Sequence, residues 1–402
     1  MSVKYDLGSP SHFDDPHETF ARMRRDDPVY LDPVTGYRYV TRYADVLAIL
    51  RDRRWSSRRA AQYVTGTSPE RAEQGRLASG FLDSWLIFLD PPDHTRLRKL
   101  VTRAFSARAV AALEAYAQEV VDTALDRMAG AGEVDLLAEF AHPVPAQVIA
   151  HMLGVAQDHI AQFKAWVADL LRLLGQVGDT DDNVAAAHRG VRGLAGYFRE
   201  IIAERRKVRV DDLLGELIDA DEDGRLGEQE LVSTCALLLS AGHETTTNLI
   251  GNGMLALLRH PAELARLRGD PGLIPSAIEE FLRYDGAAIG LGRIALEDVE
   301  VAGQVVRAGQ TVCVSPLAAN RDPAVFDDPD RLDIGRRDNP HIGFGQGIHF
   351  CIGAGLARMQ ARVAVGSLLA RFPHLALATD KPAWNGSRIS RGLVRLPVSV
   401  HG

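Results

Sequence analysis

The stretch His341-Ile-Gly-Phe-Gly-Gln-Gly-Ile-His-Phe-Cys351-Ile-Gly-Ala-Gly355 sets one cysteine among five glycines, two phenylalanines and two histidines, just before a long apolar-periodic run. A lone cysteine is most often a small buried hydrophobe. Here Gly343, Gly345 and Gly347 on one side of the sulfur, and Gly353 and Gly355 on the other, let the backbone approach a flat partner closely. From Ile352 onward, Leu356, Met359, Val363, Leu368, Leu369 and Phe372 keep helical spacing, so a helix is expected to start there. A helix N-terminus beside Cys351 favours thiolate over thiol. The stretch is built for an anionic sulfur that faces something planar.

The rest of the chain can enclose such a partner. It has 402 residues, 46% hydrophobic and 25% charged, a globular composition above the size of one simple domain. A formal net charge of −7 argues against nucleic acid as a partner. The three cysteines, Cys235, Cys313 and Cys351, are too few for a disulfide framework and suit a reducing cytoplasm. The opening MSVKYDLGSPSHFDDPHETF has no basic n-region or apolar h-region. No segment reaches the ~18 apolar residues that a membrane span requires. A cytoplasmic protein without a membrane anchor is expected.

Residues 37–41 alternate like a short strand and 43–51 read as a helix. From 92 to 269 helical periods dominate, and the 231–260 run is apolar enough to be a central helix buried on most sides. Helical pattern resumes over 275–284, then alternation with turns at Gly303 and Gly309 reads as strands. The expectation is a single domain over 1–402, mainly α with small β-sheets. Its α-rich body spans about 92–285 and 350–372, with minor β regions near 28–42, 294–316 and 386–400.

Several short segments carry chemistry. Ala241-Gly-His-Glu-Thr-Thr246 interrupts the central helix with an acid and hydroxyls, which is costly in a buried helix unless those groups are bonded or used. His243-Glu244 begins an H-E-x-x-H zinc pattern, but position 247 is threonine and the pattern fails. Glu280 and Arg283 form an i,i+3 pair, a spacing worth only ~0.2–0.5 kcal/mol on a surface. In Asp90-Pro-Pro-Asp-His94-Thr-Arg-Leu-Arg98, His94 and Arg98 share one helix face. Gly290-Leu-Gly-Arg-Ile-Ala295 satisfies G-x-G-x-x-A, but it follows a helix and enters a strand, the reverse of a dinucleotide-binding turn. Electrons for any redox chemistry must then come from outside the chain.

Phe344-x-x-Gly347-x-His349-x-Cys351-x-Gly353 resembles the haem-binding signature F-x-x-G-x-H-x-C-x-G of the cytochrome P450 superfamily, the haem-thiolate monooxygenases. The 241–246 segment resembles that family's A-G-x-D/E-T-T/S motif. Glu280 to Arg283 resembles E-x-x-R, Pro329-Asp-Arg331 resembles P-x-R, and 90–98 resembles D-P-P-x-H-x-x-x-R. The resemblance implies a mainly α triangular prism with haem b (iron protoporphyrin IX) between the central helix and the cysteine helix.

By the same resemblance, Cys351 is the axial iron ligand. Glu244 and Thr245 form an acid–alcohol pair that supplies protons from a locally distorted helix. His94, Arg98, Arg293 and His349 hold haem propionates, with Phe344, Gly345 and Gly353 around the thiolate. Glu280, Arg283 and Arg331 make a buried structural triad. The small side chains of Gly286-Ala-Ala-Ile-Gly290 resemble a roomy pocket wall. Leu86, Ile87, Leu237, Ala241, Ala288, Ile289 and Ile389 are the substrate-pocket candidates.

The implied activity is hydroxylation or epoxidation of a bulky organic substrate by O2. A secondary metabolite is expected: a polyketide or macrolide, a peptide or a terpene. NAD(P)H electrons would arrive through ferredoxin reductase and a ferredoxin docked near Arg96, Lys99, Arg103, Arg358 and Arg362. A monomer is expected. Rival readings are a peroxide-driven peroxygenase, oxidative coupling or demethylation on the same fold, and a haem carrier or gas sensor.

Overall fold

The computed structural model describes residues 4–175, 181–210 and 212–401. Where apolar spacing is continuous, helices form close to their expected positions. Tyr43–Arg51 and Ile274–Tyr284 are helical, and the long apolar run becomes one helix, Glu228–Leu258. Its start is tied by the Gly227 N–H, which donates to the Glu230 carboxylate at 3.0 Å. Pro261 opens the next helix, Pro261–Gly269, where a proline costs nothing because the first-turn N–H has no helical partner.

Two helices lie outside the expected α-rich body, and only the first carries a capping signal. Pro16–Asp26 begins with Pro16 at its first position, and the Asp15 side chain accepts from the His17 N–H. Ala72–Asp83 lacks even that side-chain cap. The cysteine helix runs Ala354–Arg371, two residues later than the spacing suggests, with Gly353 at its N-cap.

By contact the chain divides into two compact units. One comprises Met1–Trp55, Val110–Pro145 and Glu244–Gly402; the other comprises Ser56–Ala109 and Ala146–His243. In the first unit, helices Glu114–Met128, Ile274–Tyr284 and Ala354–Arg371 and the C-terminal half of the central helix bury a core that includes Phe140, Ile250, Met254, Phe281 and Val365. Gly253 permits this packing: a Cβ there would stand 2.3 Å from the Phe281 ring. A sheet in the same unit orders Val29–Leu31, Arg38–Val40, Thr311–Val314 and Leu291–Ala295. Arg38 pairs with Val312 in parallel and Arg293 pairs with Val312 antiparallel. A hairpin of Val299–Val301 and Gln304–Val306 turns through Ala302 and Gly303, both at positive φ. Of the 386–400 region, only Pro397–Ser399 forms a strand, with isolated bridges at Ser390 and Leu393. The second unit is helical, its longest members being Ile160–Gly175 and Asp181–Lys207.

The Glu280–Arg283 pair is fully buried on both sides. Arg283 Nε and Nη2 donate to the carboxylate at 2.8 Å each. Nη1 donates to the carbonyls of Asn320 and Pro329, and Nη2 also to that of Arg331. All five guanidinium protons therefore have acceptors. Arg331 departs from expectation. Its side chain is exposed and only its carbonyl takes part. The second guanidinium on Glu280 belongs to Arg336, at 3.3 Å, joined by the Asp333 N–H at 2.9 Å and Asn339 Nδ2 at 3.2 Å. The physical reason is reach. The 329–331 turn presents its carbonyls to Arg283, which leaves the Arg331 side chain pointing outward.

Replacing Arg283 by alanine strands a buried carboxylate and should cost roughly 3–5 kcal/mol in denaturant unfolding of the holoprotein. Arg331→Ala should stay within about 0.5 kcal/mol, because its carbonyl survives. A large loss for Arg331→Ala with none for Arg336→Ala would restore Arg331 to the triad.

Candidate active site

The cysteine loop closes on itself before the helix starts. The Gly345 N–H donates to the Ile342 carbonyl at 2.9 Å, and the Cys351 N–H to the Phe344 carbonyl at 2.9 Å. Gly345 and Gly347 both sit at φ +70°, a backbone conformation that other residues resist. At Gly347 a Cβ would also lie 2.3 Å from the Leu50 carbonyl oxygen. The turn Gly347–His349 carries the chain to Cys351, whose carbonyl accepts from the Ala354 N–H at the head of the cysteine helix. Cys351 is partly exposed, whereas Cys235 and Cys313 are buried. Burial pushes the Cys235 thiol up to about 12, a value that disqualifies it as a thiolate ligand.

Cations cluster beside this sulfur. Arg358, one turn into the helix, lies over the Phe344 ring at 4.6 Å and clasps Glu279 with two bonds of 2.7 Å. His341 Nε2 reaches the same carboxylate at 2.9 Å. Burial alone would raise the Glu279 pKa, but Arg358 and His341 outweigh it and hold it at about 2. Phe350 stacks edge-on to Phe344 at 6.3 Å. Gly345 meets the Leu291 side chain at 3.8 Å, which sets the loop beside the strand of Arg293. Arg293 is 5% exposed, faces inward with Ala295, and donates to the Gly292 carbonyl. His349 is half-buried in the turn before the cysteine.

On the central helix, residues 231–240 and 246–257 are all buried, yet Ala241 and Thr245 are exposed. They lie one turn apart, so they form a single open facet. Thr246 is buried at 3%. Glu244 is half-buried. Burial raises its pKa and the nearby Ser390 side chain lowers it, the former prevailing. The helix is α throughout, without the local distortion that the motif implied. Asn248 and Ser390 were not singled out in the sequence, yet Asn248 Nδ2 donates to Ser390 Oγ at 3.0 Å beside Glu244.

The remaining candidates fall out as follows. In the second unit, His94 is 1% exposed and Arg98 half-buried on the helix Asp93–Val101, one turn apart. Leu86 and Leu237 are buried, and Ile87 is 41% exposed on its 3-10 turn. In the first unit, Ala288 bridges Ser390, and the Ile289 N–H donates to the Ile389 carbonyl, so the three wall candidates Ala288, Ile289 and Ile389 do meet. Ile289, however, points into a separate apolar cluster with Leu7, Phe20 and Tyr39, because adjacent residues of an extended segment face opposite ways. Two of the docking cations are also engaged: Arg96 is paired with Glu230 and Arg358 with Glu279. Lys99, Arg103 and Arg362 are exposed.

Because the folded Glu279 pKa lies below its usual value of 4.5, its ion pairs stabilise the protein above that pH and lose their effect as pH falls towards 2. Glu279→Gln should therefore be less stable than wild type at pH 7, and the gap should close on acidification. A gap independent of pH in denaturant unfolding would contradict this.

Residues 59–270 and 272–398 match the family model described as Cytochrome P450. The chain is 44% identical to Cytochrome P450 107B1 of Saccharopolyspora erythraea, over 96% of this chain and 95% of that one. It is 37% identical to 6-deoxyerythronolide B hydroxylase of the same organism, over 100% of both. Among solved structures, P450BioI in complex with an acyl carrier protein carrying hexadec-9Z-enoic acid superposes with a TM-score of 0.91 at 35% identity, covering 97% of this chain and 99% of that one. With the signature loop, the fold and the family model all in agreement along nearly the whole sequence, the chain belongs to the cytochrome P450 family.

Proposed function

We propose that this monooxygenase binds haem b through Cys351 and inserts one oxygen atom of O2 into a bulky secondary metabolite of polyketide or macrolide, peptide or terpene type, by hydroxylation or epoxidation. Electrons come from NAD(P)H through ferredoxin reductase and ferredoxin, and residues 1–402 act as one cytoplasmic, monomeric domain. The observation that carries the reading is the exposed pair Ala241 and Thr245, one turn apart beside the half-buried acid Glu244, between the buried runs 231–240 and 246–257 of the central helix.

The residues fit the family's haem. Cys351 is a partly exposed thiol at a helix head, the neighbouring loop has the clearance a flat macrocycle needs, and Arg293 is a buried cation on the adjoining strand, suited to a propionate. When bound, the haem supplies oxygen activation at an iron made electron-rich by the thiolate. The chain's own part is proton supply and seating. Thr245 Oγ1 offers a proton at the exposed facet. Glu244, its pKa raised by burial, holds a proton to higher pH than an exposed glutamate and replaces the one given up. The carboxyl and hydroxyl are adjacent in sequence and face about 100° apart on the helix, so water completes the path.

Support for the substrate class comes from relatives. 6-Deoxyerythronolide B hydroxylase is one, and Cytochrome P450 monooxygenase PikC of Streptomyces venezuelae, 40% identical over 96% of this chain, is another. The small 286–290 segment is consistent with a wide wall.

The reduced carbon-monoxide adduct should show the long-wavelength Soret band of thiolate ligation, and Cys351→Ser should abolish it. A band that survives the substitution would remove Cys351 as ligand. Bulky polyketides should shift the ferric spin state by displacing water, and ferredoxin with NADPH should yield oxidised product where peroxide alone does not. Equal turnover on peroxide alone would favour the peroxygenase. Arg362→Glu should slow reduction by ferredoxin several-fold with the ferric spectrum unchanged. An unaltered rate would place the docking surface elsewhere.

A further inference from the structure

Two stretches far apart in sequence, 287–289 and 389–391, lie side by side as a short antiparallel pair. The Arg391 N–H donates to the Ala287 carbonyl at 2.7 Å, the Ile289 N–H donates to the Ile389 carbonyl at 3.1 Å, and Ala288 bridges Ser390 between them. One face of the pair meets the central helix, where Asn248 Nδ2 donates to Ser390 Oγ at 3.0 Å. Asn252 Nδ2 holds both stretches at once, donating to the carbonyls of Asp285 and Arg391 at 3.1 Å each. Gly392 permits this approach, since a Cβ there would stand 2.2 Å from Asn248 Oδ1.

The other face is poorly backed. Successive residues of an extended segment turn opposite ways, so Ile289 and Arg391 face away from the Asn248 side. There an indentation of about 390 Å³, open to solvent, is lined by His12, Phe13, Phe20, Ile289, Trp384 and Arg391. Arg391 ties the pair to the N-terminal helix Pro10–Asp14, whose last carbonyls lack donors within the helix. Its Nη1 donates to the Phe13 carbonyl at 2.7 Å and its Nη2 to the Asp14 carbonyl at 3.2 Å. Its Nε donates to Asp285 Oδ1 at 2.6 Å, an oxygen that His17 Nε2 also approaches at 3.5 Å. The Trp384 ring lies over the guanidinium at 3.4 Å. A planar fork held by three acceptors and a ring has one allowed position.

We propose, resting on the reading of Ala288 as pocket wall, that Arg391 is a positioning residue for substrate selection: it braces the pair 287–289 and 389–391 against retreat into the space behind it, and so sets the width of the ligand pocket. A wall with open space at its back keeps its place only while something rigid holds it. With the brace gone the pair relaxes towards the indentation, the pocket widens, and larger ligands gain on smaller ones.

The test is a visible-spectrum titration of the ferric holoenzyme with two azoles, phenylimidazole and the bulkier clotrimazole. Each binds the iron through the same ring nitrogen, so the ratio of their dissociation constants reports the space around the tail. Arg391→Ala should move that ratio in favour of clotrimazole by roughly ten-fold, the discrimination that about one methylene of pocket space provides. Arg391→Lys should move it less, because an ammonium can hold Asp285 but not both carbonyls and the ring as well. Arg336→Ala, which also removes a buried cation from its carboxylate, should leave the ratio unchanged, so a general loss of stability does not imitate the effect.

An unmoved ratio in Arg391→Ala, with the carbon-monoxide spectrum intact, overturns the proposal. If that variant fails to retain haem because Asp285 is stranded, the double variant Asp285→Asn with Arg391→Leu removes both charges together, and an unmoved ratio there overturns it instead. Ala288→Leu separates the brace from the wall. It should narrow the pocket and move the ratio towards phenylimidazole. A response to Ala288→Leu with none to Arg391→Ala would sink the brace and leave the wall, whereas no response to either would sink the wall reading as well. No arm needs turnover, so a shifted ratio without product from any substrate would count against the monooxygenase reading and leave the brace standing.

Discussion

Everything near the cysteine hangs on one buried ion pair. Two charges without solvent exposure are tolerable only if every proton and lone pair is met, and Arg283 spends its five donors on the Glu280 carboxylate and three backbone carbonyls. Those carbonyls belong to Asn320, Pro329 and Arg331, so the pair fixes the long irregular stretch that leads to the ligand loop. Glu280 adds the Asp333 N–H and the side chains of Arg336 and Asn339. Asn320 then passes the constraint forward. Its Nδ2 donates to the Leu282 carbonyl and its Oδ1 accepts from the Ile342 N–H, at the foot of the cysteine loop. This chain of bonds anchors the foot of the cysteine loop from behind.

The opposite requirement governs the central helix. It packs against Phe281 through Gly253, yet leaves Ala241 and Thr245 exposed in its middle. Polar residues buried along this helix are costly: Asn248 Nδ2 donates to Ser390 Oγ and Asn252 Nδ2 to the carbonyls of Asp285 and Arg391, whereas Asn252 Oδ1 has no partner. Asn248 and Asn252 thus form a polar seam on the central helix, and Ser390 and Arg391 meet it.

The ligand loop and the helices of strong apolar period were open to reading because their physics is local. Glycines at positive φ, a cysteine at a helix head and apolar spacing every three or four residues depend on neighbours in sequence alone. Local too is the Glu280–Arg283 contact. What surrounds it is not: Arg331 had the right spacing and contributes only a carbonyl, while Arg336, which carries no motif, reaches Glu280. Ile289 packs with Leu7, Phe20 and Tyr39 for the same reason, since sequence position sets neighbourhood but not the face a side chain presents. The short N-terminal helix Pro16–Asp26 could have been found from its Asp-Pro cap, a signal as local as the glycines.

The sequence by itself determined the cysteine loop at a helix head, the helical architecture and the acid beside a threonine, because each is written in residues a few positions apart. Tertiary structure decided which partner each buried polar group would have: Arg336 in place of the Arg331 side chain, Glu279 for Arg358, and Ser390 for Asn248. Those choices join residues tens to more than a hundred positions apart. No periodicity encodes them, because a buried charge or carboxyl takes whichever donor the completed packing brings within hydrogen-bond reach.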